Sequence, residues 1–416
     1  MARGLTAKKS FNVSLTEQLV HEKIHAHHSA AQAALVRNLR SLHNAEDAMQ
    51  DAIVKALQSW PATGIPKNIV AWLVTTGLNS FRDNHRRDAR LEPLTERNAQ
   101  DLSATLKIEN GGPEDDVLRL IFMCCHPSIA IENQLALTLN LVMGFNLTEI
   151  SNSLIVPVKT LEKRLSRAKR KISGAGINFQ LPSASRLLGR LAPVQQVLYL
   201  IFNEGYYASS GVLINRALCR QAISLCRSLC RSFPNPENFG LLALMLFQDS
   251  RASARIDGNQ RLVTLDLQDR SLWNKSQIQE ADVLLKKSLR LRETGFYQLQ
   301  AAIAGVHSWS KSAEETDWPQ IVGLYQHLLR VRTSPVIALN YAVALLFAGD
   351  VSNARTIIES LETELSSYSP FYAAQAKLHE LLNNEPQMRE SLEKAASLSG
   401  SEQEAGHYRM QLEKQN

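Results

Sequence analysis

Apolar residues along this chain recur at steps of three and four, from about Leu15 to the C-terminus, rather than in strict alternation. Pro and Gly fall mostly between the periodic segments, where they separate one from the next. Strand signals are nearly absent. The pattern therefore predicts an all-α protein, and 416 residues are enough for two or three separate cores.

Residues 146–172 hold the densest pattern. Asn146, with Glu149 three positions later, predicts the capped start of a short helix, and Pro157 suits the first position of a second helix after a tight break. The second helix has one apolar face, formed by Val158, Leu161, Leu165, Ala168 and Ile172.

The other faces of the second helix are strongly basic. Residues 159–171 contain one carboxylate, Glu162, and seven basic residues: Lys159, Lys163, Arg164, Arg167, Lys169, Arg170 and Lys171. Such a surface suits phosphate neutralisation and contact with base edges in a major groove. The pattern indicates a helix-turn-helix that reads DNA, although an amphipathic helix with a solvated basic face has the same periodicity.

Charge and cysteine content support an intracellular nucleic-acid-binding protein. Residues 1–190 contain 24 Lys and Arg against 17 Asp and Glu, whereas residues 191–416 contain 22 against 23, so affinity for nucleic acid belongs to the first half. Five cysteines are an odd number and predict a reducing, cytoplasmic setting. No stretch approaches the roughly 18 apolar residues that span a bilayer, so we expect no membrane contact.

The stretch V-P-V-K-T-L-E-K-R-L-S-R-A-K-R-K-I, residues 156–172, resembles the end of region four in the extracytoplasmic-function (ECF) sigma factors of bacterial RNA polymerase. In that family the corresponding helix reads the minus-thirty-five promoter element. The resemblance implies that this element is read by Lys159, Thr160, Lys163, Arg164 and Arg167.

Residues 45–60, A-E-D-A-M-Q-D-A-I-V-K-A-L-Q-S-W, have an acidic shoulder beside an apolar side. A solvated face would explain the acidity. The stretch also resembles the region-two helix that docks on the largest subunit of core RNA polymerase, and this resemblance implies that Asp47, Gln50 and Asp51 bind the polymerase. A turn over residues 61–66 is expected to follow.

Residues 68–90 resemble the helix by which these sigma factors capture the melted minus-ten element. We expect Trp72 to lie in the core, and Gly77 departs from the usual family pattern at a cost of about 1 kcal/mol relative to Ala. By resemblance, the melted strand is bound by Arg82, Asn84, Arg86, Arg87 and Arg90.

From about residue 187 the chain predicts pairs of short amphipathic helices. Ser334-Pro335 recurs 35 residues later as Ser369-Pro370, close to the period of tetratricopeptide repeats (TPR), which form a solenoid with a concave binding face. A plain helical domain is the alternative. Residues 198–211 and 265–274 resemble the C-terminal extension of a distinct subset of ECF sigma factors.

Three further clusters invite a chemical interpretation. Cys124, Cys125 and His126 lack the spacing of a zinc site, and a buried helix end is favoured. The face formed by Cys219, Cys226 and Cys230 fits core packing, with a redox sensor as the alternative. Asp266, Asp269 and Arg270 are predicted to form a buried ion-pair network between repeats rather than a catalytic site.

Together these observations predict a sigma factor with no enzymatic activity, cofactor or metal, whose partners are core RNA polymerase and promoter DNA in duplex and melted form. The expected domains are region two at residues 10–90, a linker at 91–116, region four at 117–178 and a TPR-like regulatory domain at 187–416. We also expect the solenoid to contact the sigma domains of its own chain. The competing hypothesis is a DNA-bound helix-turn-helix regulator with a peptide-binding solenoid and no polymerase recruitment.

Overall fold

The structure is a computed structural model that describes residues 3–91, 113–154, 156–175, 177, 179, 184–206, 216–257 and 262–413. Side chains are described from Leu19 onward, apart from those of residues 87–91, 113–114, 152–153 and 184–188. α-Helices make up most of these ranges, and the one extended pairing within them is an isolated bridge between Ile256 and Leu262. The predicted all-α class is confirmed.

The chain folds into two compact units, Met1–Ile201 and Phe202–Asn416, with the boundary inside one helix. The helices of the first unit are α1 (Arg3–Leu39), α2 (Leu42–Thr63), α3 (Ile69–Leu91), α4 (Pro113–Cys124), α5 (Ile131–Leu141), α6 (Leu147–Leu154), α7 (Val158–Gly174) and α8 (Ala184–Tyr206), which continues into the second unit. We call α1–α3 the first bundle and α4–α7 the second bundle.

Small side chains bring α2 and α3 close together in the first bundle. Ala45, Ala48 and Ala52 of α2 are buried, and α2 begins at the Ser41 cap, whose hydroxyl accepts a hydrogen bond from the amide of Asn44. The predicted turn over residues 61–66 is wrong at its start, since α2 continues through Pro61 to Thr63. Pro61 has no N–H to bond to the carbonyl of Leu57, and the helix ends two residues later.

Gly77 has a packing role that the sequence left open. A Cβ atom on Gly77 would stand 2.8 Å from the carbonyl oxygen of Ala48, so a larger residue would force α3 away from α2. Trp72, predicted to be a core residue, is half-buried and packs edge-to-face on the buried ring of Trp60, with ring centroids 5.1 Å apart.

In the second bundle, α4 is buried around nearly its whole circumference. Residues 116–118 and 120–125 are all buried, including both adjacent cysteines at its end. A helix that is apolar on every side needs neighbours on more than one side. Here α5 covers one side of α4, and α1 of the first bundle covers another.

The second unit is built from helix pairs. Its helices are α9 (Arg216–Ser232), α10 (Pro236–Asp249), α11 (Lys275–Arg290), α12 (Phe296–Trp309), α13 (Trp318–Val331), α14 (Pro335–Phe347), α15 (Val351–Ser360), α16 (Ser369–Leu381), α17 (Glu385–Leu398) and α18 (Glu402–Glu413), with a 3-10 turn at Arg270–Leu272. The recurring Ser-Pro pairs mark the starts of α14 and α16, each of which packs against the helix that follows it.

One carboxylate joins two helices of this unit. Glu237 in α10 accepts hydrogen bonds from the amides of Tyr297 and Gln298 at the start of α12, at 3.0 and 3.1 Å. These amides have no partner within their own helix, so Glu237 caps α12 from outside it. The two helices approach closely, because a Cβ on Gly240 would stand 2.7 Å from the amide nitrogen of Gln298.

The predicted ion-pair network around Arg270 is wrong. Asp266 and Asp269 are exposed, and Asp269 caps the 3-10 turn by accepting a hydrogen bond from the amide of Ser271. Arg270 instead donates to the backbone carbonyls of His307 and Ser310, at 2.7 Å each. A guanidinium can donate hydrogen bonds to backbone carbonyls as well as to carboxylates. Spacing along the sequence does not show which of the two acceptors it binds.

The cysteine face of α9 belongs to the core. Cys219 and Cys226 are fully buried, and Cys230 is 8% exposed. Burial raises the pKa of the Cys219 thiol to about 12 and that of Cys226 well above its ordinary value, which suppresses the reactive thiolate. The core-packing interpretation therefore fits the structure better than a redox sensor.

Candidate nucleic-acid and polymerase interface

Helix α7 presents the basic surface that its sequence predicts. Leu161, Leu165, Ala168 and Ile172 are buried and hold the helix against the rest of its bundle. The candidate DNA-reading side chains lie on the other faces: Lys159, Thr160, Lys163 and Arg167 are exposed, and Arg164 is half-buried. All five therefore lie on the part of the helix that a DNA groove could reach.

Short-range hydrogen bonds hold both the start of α6 and the turn between α6 and α7. The side-chain oxygen of Asn146 accepts from the amides of Thr148 and Glu149, and the Glu149 carboxylate accepts from the amide of Asn146 at 2.8 Å. This reciprocal cap is the one that the sequence predicts. Further along, the Ser151 hydroxyl donates to the carbonyl of Val156 at 2.7 Å. The Asn146 and Glu149 bonds thus cap the start of α6, and the Ser151–Val156 bond spans the short connection from α6 to α7.

Helix α2 carries the candidate polymerase-binding residues on its solvent side. Asp47 and Gln50 are exposed, whereas Asp51 is half-buried. The imidazole of His43 lies 3.5 Å from the Asp47 carboxylate, one helical turn away. The acidic shoulder, Glu46 to Asp51, is therefore accessible over most of its length.

Helix α3 carries the candidate minus-ten residues beside that shoulder. Arg82, Asn84 and Arg86 are exposed, whereas the side chains of Arg87 and Arg90 lie outside the described part of the chain. The amide of Asn84 is 3.4 Å from the Asp51 carboxylate, which brings one residue of each candidate set together. The first bundle thus places an acidic surface and a basic surface side by side.

One contact near the site was not predicted from the sequence. Lys169, on the C-terminal half of α7, donates a hydrogen bond to the carboxylate of Glu46 at the start of the acidic shoulder. Both side chains are about one quarter to one third exposed. The sequence shows that α7 is basic and that α2 is acidic near Glu46. However, 123 residues separate the two partners, and no local pattern specifies such a pairing.

The second unit contains a groove of about 700 Å³. Its lining includes Arg270, His307, Asn340, Phe347 and Lys377, together with polar groups of helix α18. The ring of Trp318 stacks on Phe347 with centroids 4.5 Å apart. The groove therefore combines an aromatic platform with charged groups of both signs.

Over the described residues, no helix is both long and apolar enough to cross a membrane. Among the same residues no group of three or more His, Cys, Asp or Glu side chains could hold a metal ion.

Comparison with known proteins gives three findings. Residues 24–91 match sigma-70 region 2, and residues 190–289 match a family of unknown function, DUF6596. An uncharacterized protein of Rhizobium meliloti (strain 1021), R00370, is 39% identical over 391 residues, which cover 92% of each chain. No solved structure matches.

Proposed function

This chain belongs to the ECF-like sigma factors that carry a C-terminal extension, and we propose that it directs core RNA polymerase to specific promoters and initiates transcription there. The observation that carries the proposal is the arrangement of α2 and α3, an accessible acidic surface beside an accessible basic one, within residues 24–91. Sigma factors act by binding rather than catalysis, and we assign no catalytic role to this chain.

Each surface is proposed to bind one partner. Asp47, Gln50 and Asp51 bind core polymerase, and complementary charge would steer and orient that encounter. The basic face of α3 holds the melted minus-ten strand through its phosphates. The helix pair α6–α7 acts as a helix-turn-helix, with α7 in the major groove of the minus-thirty-five element.

The second unit is proposed to be a TPR-like regulatory domain. The helix pairs of α14 to α17 and the groove of about 700 Å³ support a protein-binding role. The even charge balance of residues 191–416 gives this unit no electrostatic attraction to DNA. We propose that it acts in the cytoplasm, where the polymerase works, and that it contacts the sigma part of the same chain.

Run-off transcription tests the proposal. The full-length protein is combined with purified core polymerase on fragmented genomic DNA, and new transcripts are mapped. Discrete start sites that depend on the added protein are expected. Binding to DNA without any start site would favour the alternative, a DNA-bound regulator that does not recruit polymerase.

A further inference from the structure

Arg270 lines the groove of the second unit and is held there by one edge of its guanidinium. Its Nη1 atom donates to the backbone carbonyls of His307 and Ser310, and the guanidinium lies over the ring of Trp273, 4.8 Å from the ring centroid. Within the described residues, the Nε and Nη2 atoms of Arg270 have no hydrogen-bond partner. The other edge of this fixed fork therefore has two donors left for a ligand.

Arg270 also has no counter-charge. No carboxylate of the described residues lies within salt-bridge distance of it. Burial lowers the pKa of Arg270 and nearby Arg251 lowers it further, whereas Glu314 and Glu315 attract it over a longer distance. Burial, with Arg251 and Arg270 nearby, also lowers the pKa of His307 to about 4, so the neighbouring imidazole is neutral. A half-buried guanidinium in this setting favours a ligand that carries a carboxylate.

A row of three rings continues from His307 along the groove. The ring of His307 lies edge-to-face on Trp318 with centroids 5.3 Å apart, and Trp318 stacks on Phe347 at 4.5 Å. All three residues line the groove, and Phe347 is 44% exposed. Because Trp318 already covers one face of Phe347, the exposed part of this ring suits an apolar side chain better than a stacked nucleobase. The row spans up to about 10 Å, which is two or three residues of an extended peptide.

Asn340 adds hydrogen-bonding groups to the same surface. It lies about two turns before Phe347 on α14, and its exposed side chain lines the groove. Within the described part of the chain its carboxamide has no hydrogen-bond partner. A carboxamide can accept from the N–H of a peptide unit and donate to the C=O. Ala373 and Ala374 of α16 also line the groove, and their small side chains let a peptide backbone approach.

The remaining charged side chains of the groove limit how acidic the ligand is. Lys377 already pairs with Glu380 at 2.8 Å. Asp266 and Glu404 add two further carboxylates to the lining, and these would repel a run of acidic residues. One carboxylate among apolar side chains matches the charge of Arg270 and avoids most of that repulsion.

We propose that the groove binds an extended segment of a partner protein, in which one acidic side chain pairs with Arg270 and an apolar side chain two or three residues away packs on Phe347. Asn340 holds a peptide unit of the same segment. The lining continues from Arg270 to Thr264 and Leu265, so the segment can run past the guanidinium, and the carboxylate is that of a side chain rather than a chain terminus. This inference rests on the proposed protein-binding role of the second unit, and the partner would compete with contact between the groove and the sigma part.

Selection from defined peptide pools tests the ligand class on the full-length protein, with no DNA or polymerase present. Three pools of heptapeptides carry random alanine, leucine, phenylalanine, valine, serine and asparagine around a fixed central residue. The centre is glutamate or glutamine with both termini blocked, or glutamine with a free C-terminal carboxylate. Mass spectrometry of the retained peptides should show the blocked glutamate pool, with apolar residues enriched two or three positions from the glutamate. Equal retention of the two blocked pools, retention of the free-acid pool alone, or retention of no pool would overturn the proposal.

A double-mutant cycle with the best-retained peptide tests the role of Arg270. Arg270→Gln, and glutamine in place of the peptide's glutamate, should each weaken binding about 10- to 100-fold in fluorescence anisotropy, and the two together should weaken it little further. Arg330→Gln, at an exposed position on α13 outside the groove lining, is the matched control and should bind normally. Lys377→Gln should keep the preference for glutamate, because Lys377 is already paired. Additive losses would show that Arg270 only supports the fold and would overturn its assignment.

Two further variants decide the case if Arg270→Gln does not fold. Asn340→Ala changes an exposed side chain and should weaken the retained peptides about 2- to 10-fold. Phe347→Ala should remove the preference for apolar residues while keeping that for glutamate over glutamine. Unchanged binding in both variants would place the peptide outside the groove and overturn the proposal.

The outcome is separable from that of the proposed function. Selection of the glutamate pool together with absent run-off transcription would count against the sigma function and support the groove assignment. Run-off transcription together with equal retention of the two blocked pools would support the sigma function and overturn the groove assignment.

Discussion

Gly77 of α3 lies against the backbone of Ala48 in α2, so that a Cβ on Gly77 would stand 2.8 Å from the Ala48 carbonyl oxygen. The same Cβ would stand 3.3 Å from a methyl carbon of Leu35 in α1. This one glycine therefore lies where α1, α2 and α3 meet, and it sets the approach of the two helices that carry the acidic and basic surfaces.

Replacing Gly77 by Ala is expected to destabilise the first bundle. Helix propensity alone favours Ala by about 1 kcal/mol, but overpacking against a backbone atom that cannot rotate away typically costs about 1–3 kcal/mol. Hydrogen exchange of the α2 and α3 amides measures the effect locally. Thr75→Ala, at an exposed position of the same helix, is the control and should leave exchange nearly unchanged. Slower exchange in the Gly77 variant would contradict the packing role.

Local patterns predicted the second bundle well. The cap at Asn146, the buried face of α7 and its basic exposed faces follow from residues within one or two turns of one another. The contact between Lys169 and Glu46 and the close approach at Gly77 depend on distant partners, which periodicity does not specify. The sequence suggests carboxylate partners for Arg270, whereas its partner is a backbone carbonyl. Every residue has a backbone carbonyl, so the sequence cannot show which one is bound.

The α7 face gives a prediction about DNA sequence recognition. If Arg164 or Arg167 contacts a base edge, its replacement by Ala should weaken binding of the preferred duplex by about 1–3 kcal/mol and relax specificity at one position. Lys171→Ala is the matched control, because an exposed lysine on a phosphate should weaken all duplexes alike. Fluorescence anisotropy across a panel of duplexes distinguishes the two patterns. Unchanged affinity in both arginine variants would remove α7 from the reading role.

The acidic shoulder gives a prediction about polymerase recruitment. Asp47→Lys combined with Asp51→Lys should abolish co-purification with core polymerase, since like charges across an interface cost several kcal/mol. Binding to a minus-thirty-five duplex should persist because α7 is unaltered. Glu22→Lys with Glu132→Lys changes the net charge equally at exposed positions elsewhere and should co-purify normally. Normal co-purification of the Asp variant would favour the regulator without polymerase recruitment.

His28 gives a prediction about pH. Burial lowers the pKa of His28 to about 4, from an ordinary value of 6.5, despite the opposing effect of the Val142 carbonyl. Between these values the unfolded chain binds a proton that the folded chain does not, so the free energy of unfolding falls as pH falls. The loss begins near pH 6.5 and reaches about 2 kcal/mol by pH 5.

The measurement is urea denaturation of the full-length protein at pH 7.5 and pH 5, above the range in which most carboxylates titrate. His28→Gln should have a smaller difference between the two pH values than the parent protein, although it is less stable at both. His43→Gln, at an exposed position, should keep the parental difference. An equal pH dependence in the parent and in His28→Gln would show that this histidine is not held neutral by the fold.

The last prediction concerns control of the sigma part by the second unit. A protein that ends after Tyr206 keeps α8 whole, whereas the sequence alone would have placed the cut near residue 185, inside that helix. Because a linked domain is present at high local concentration, contact with it in cis should be strong even when the separate halves bind weakly. Run-off activity of the shortened protein should differ from that of the full chain by about 5- to 150-fold, and adding residues 216–416 in excess should partly restore the original level. Arg231→Glu in the added fragment is a surface control that should leave restoration unaffected, whereas Lys377→Glu, in the groove, should reduce it.

Equal activity of the full and shortened proteins, together with no binding between the halves, would mean that the groove serves a partner other than its own chain.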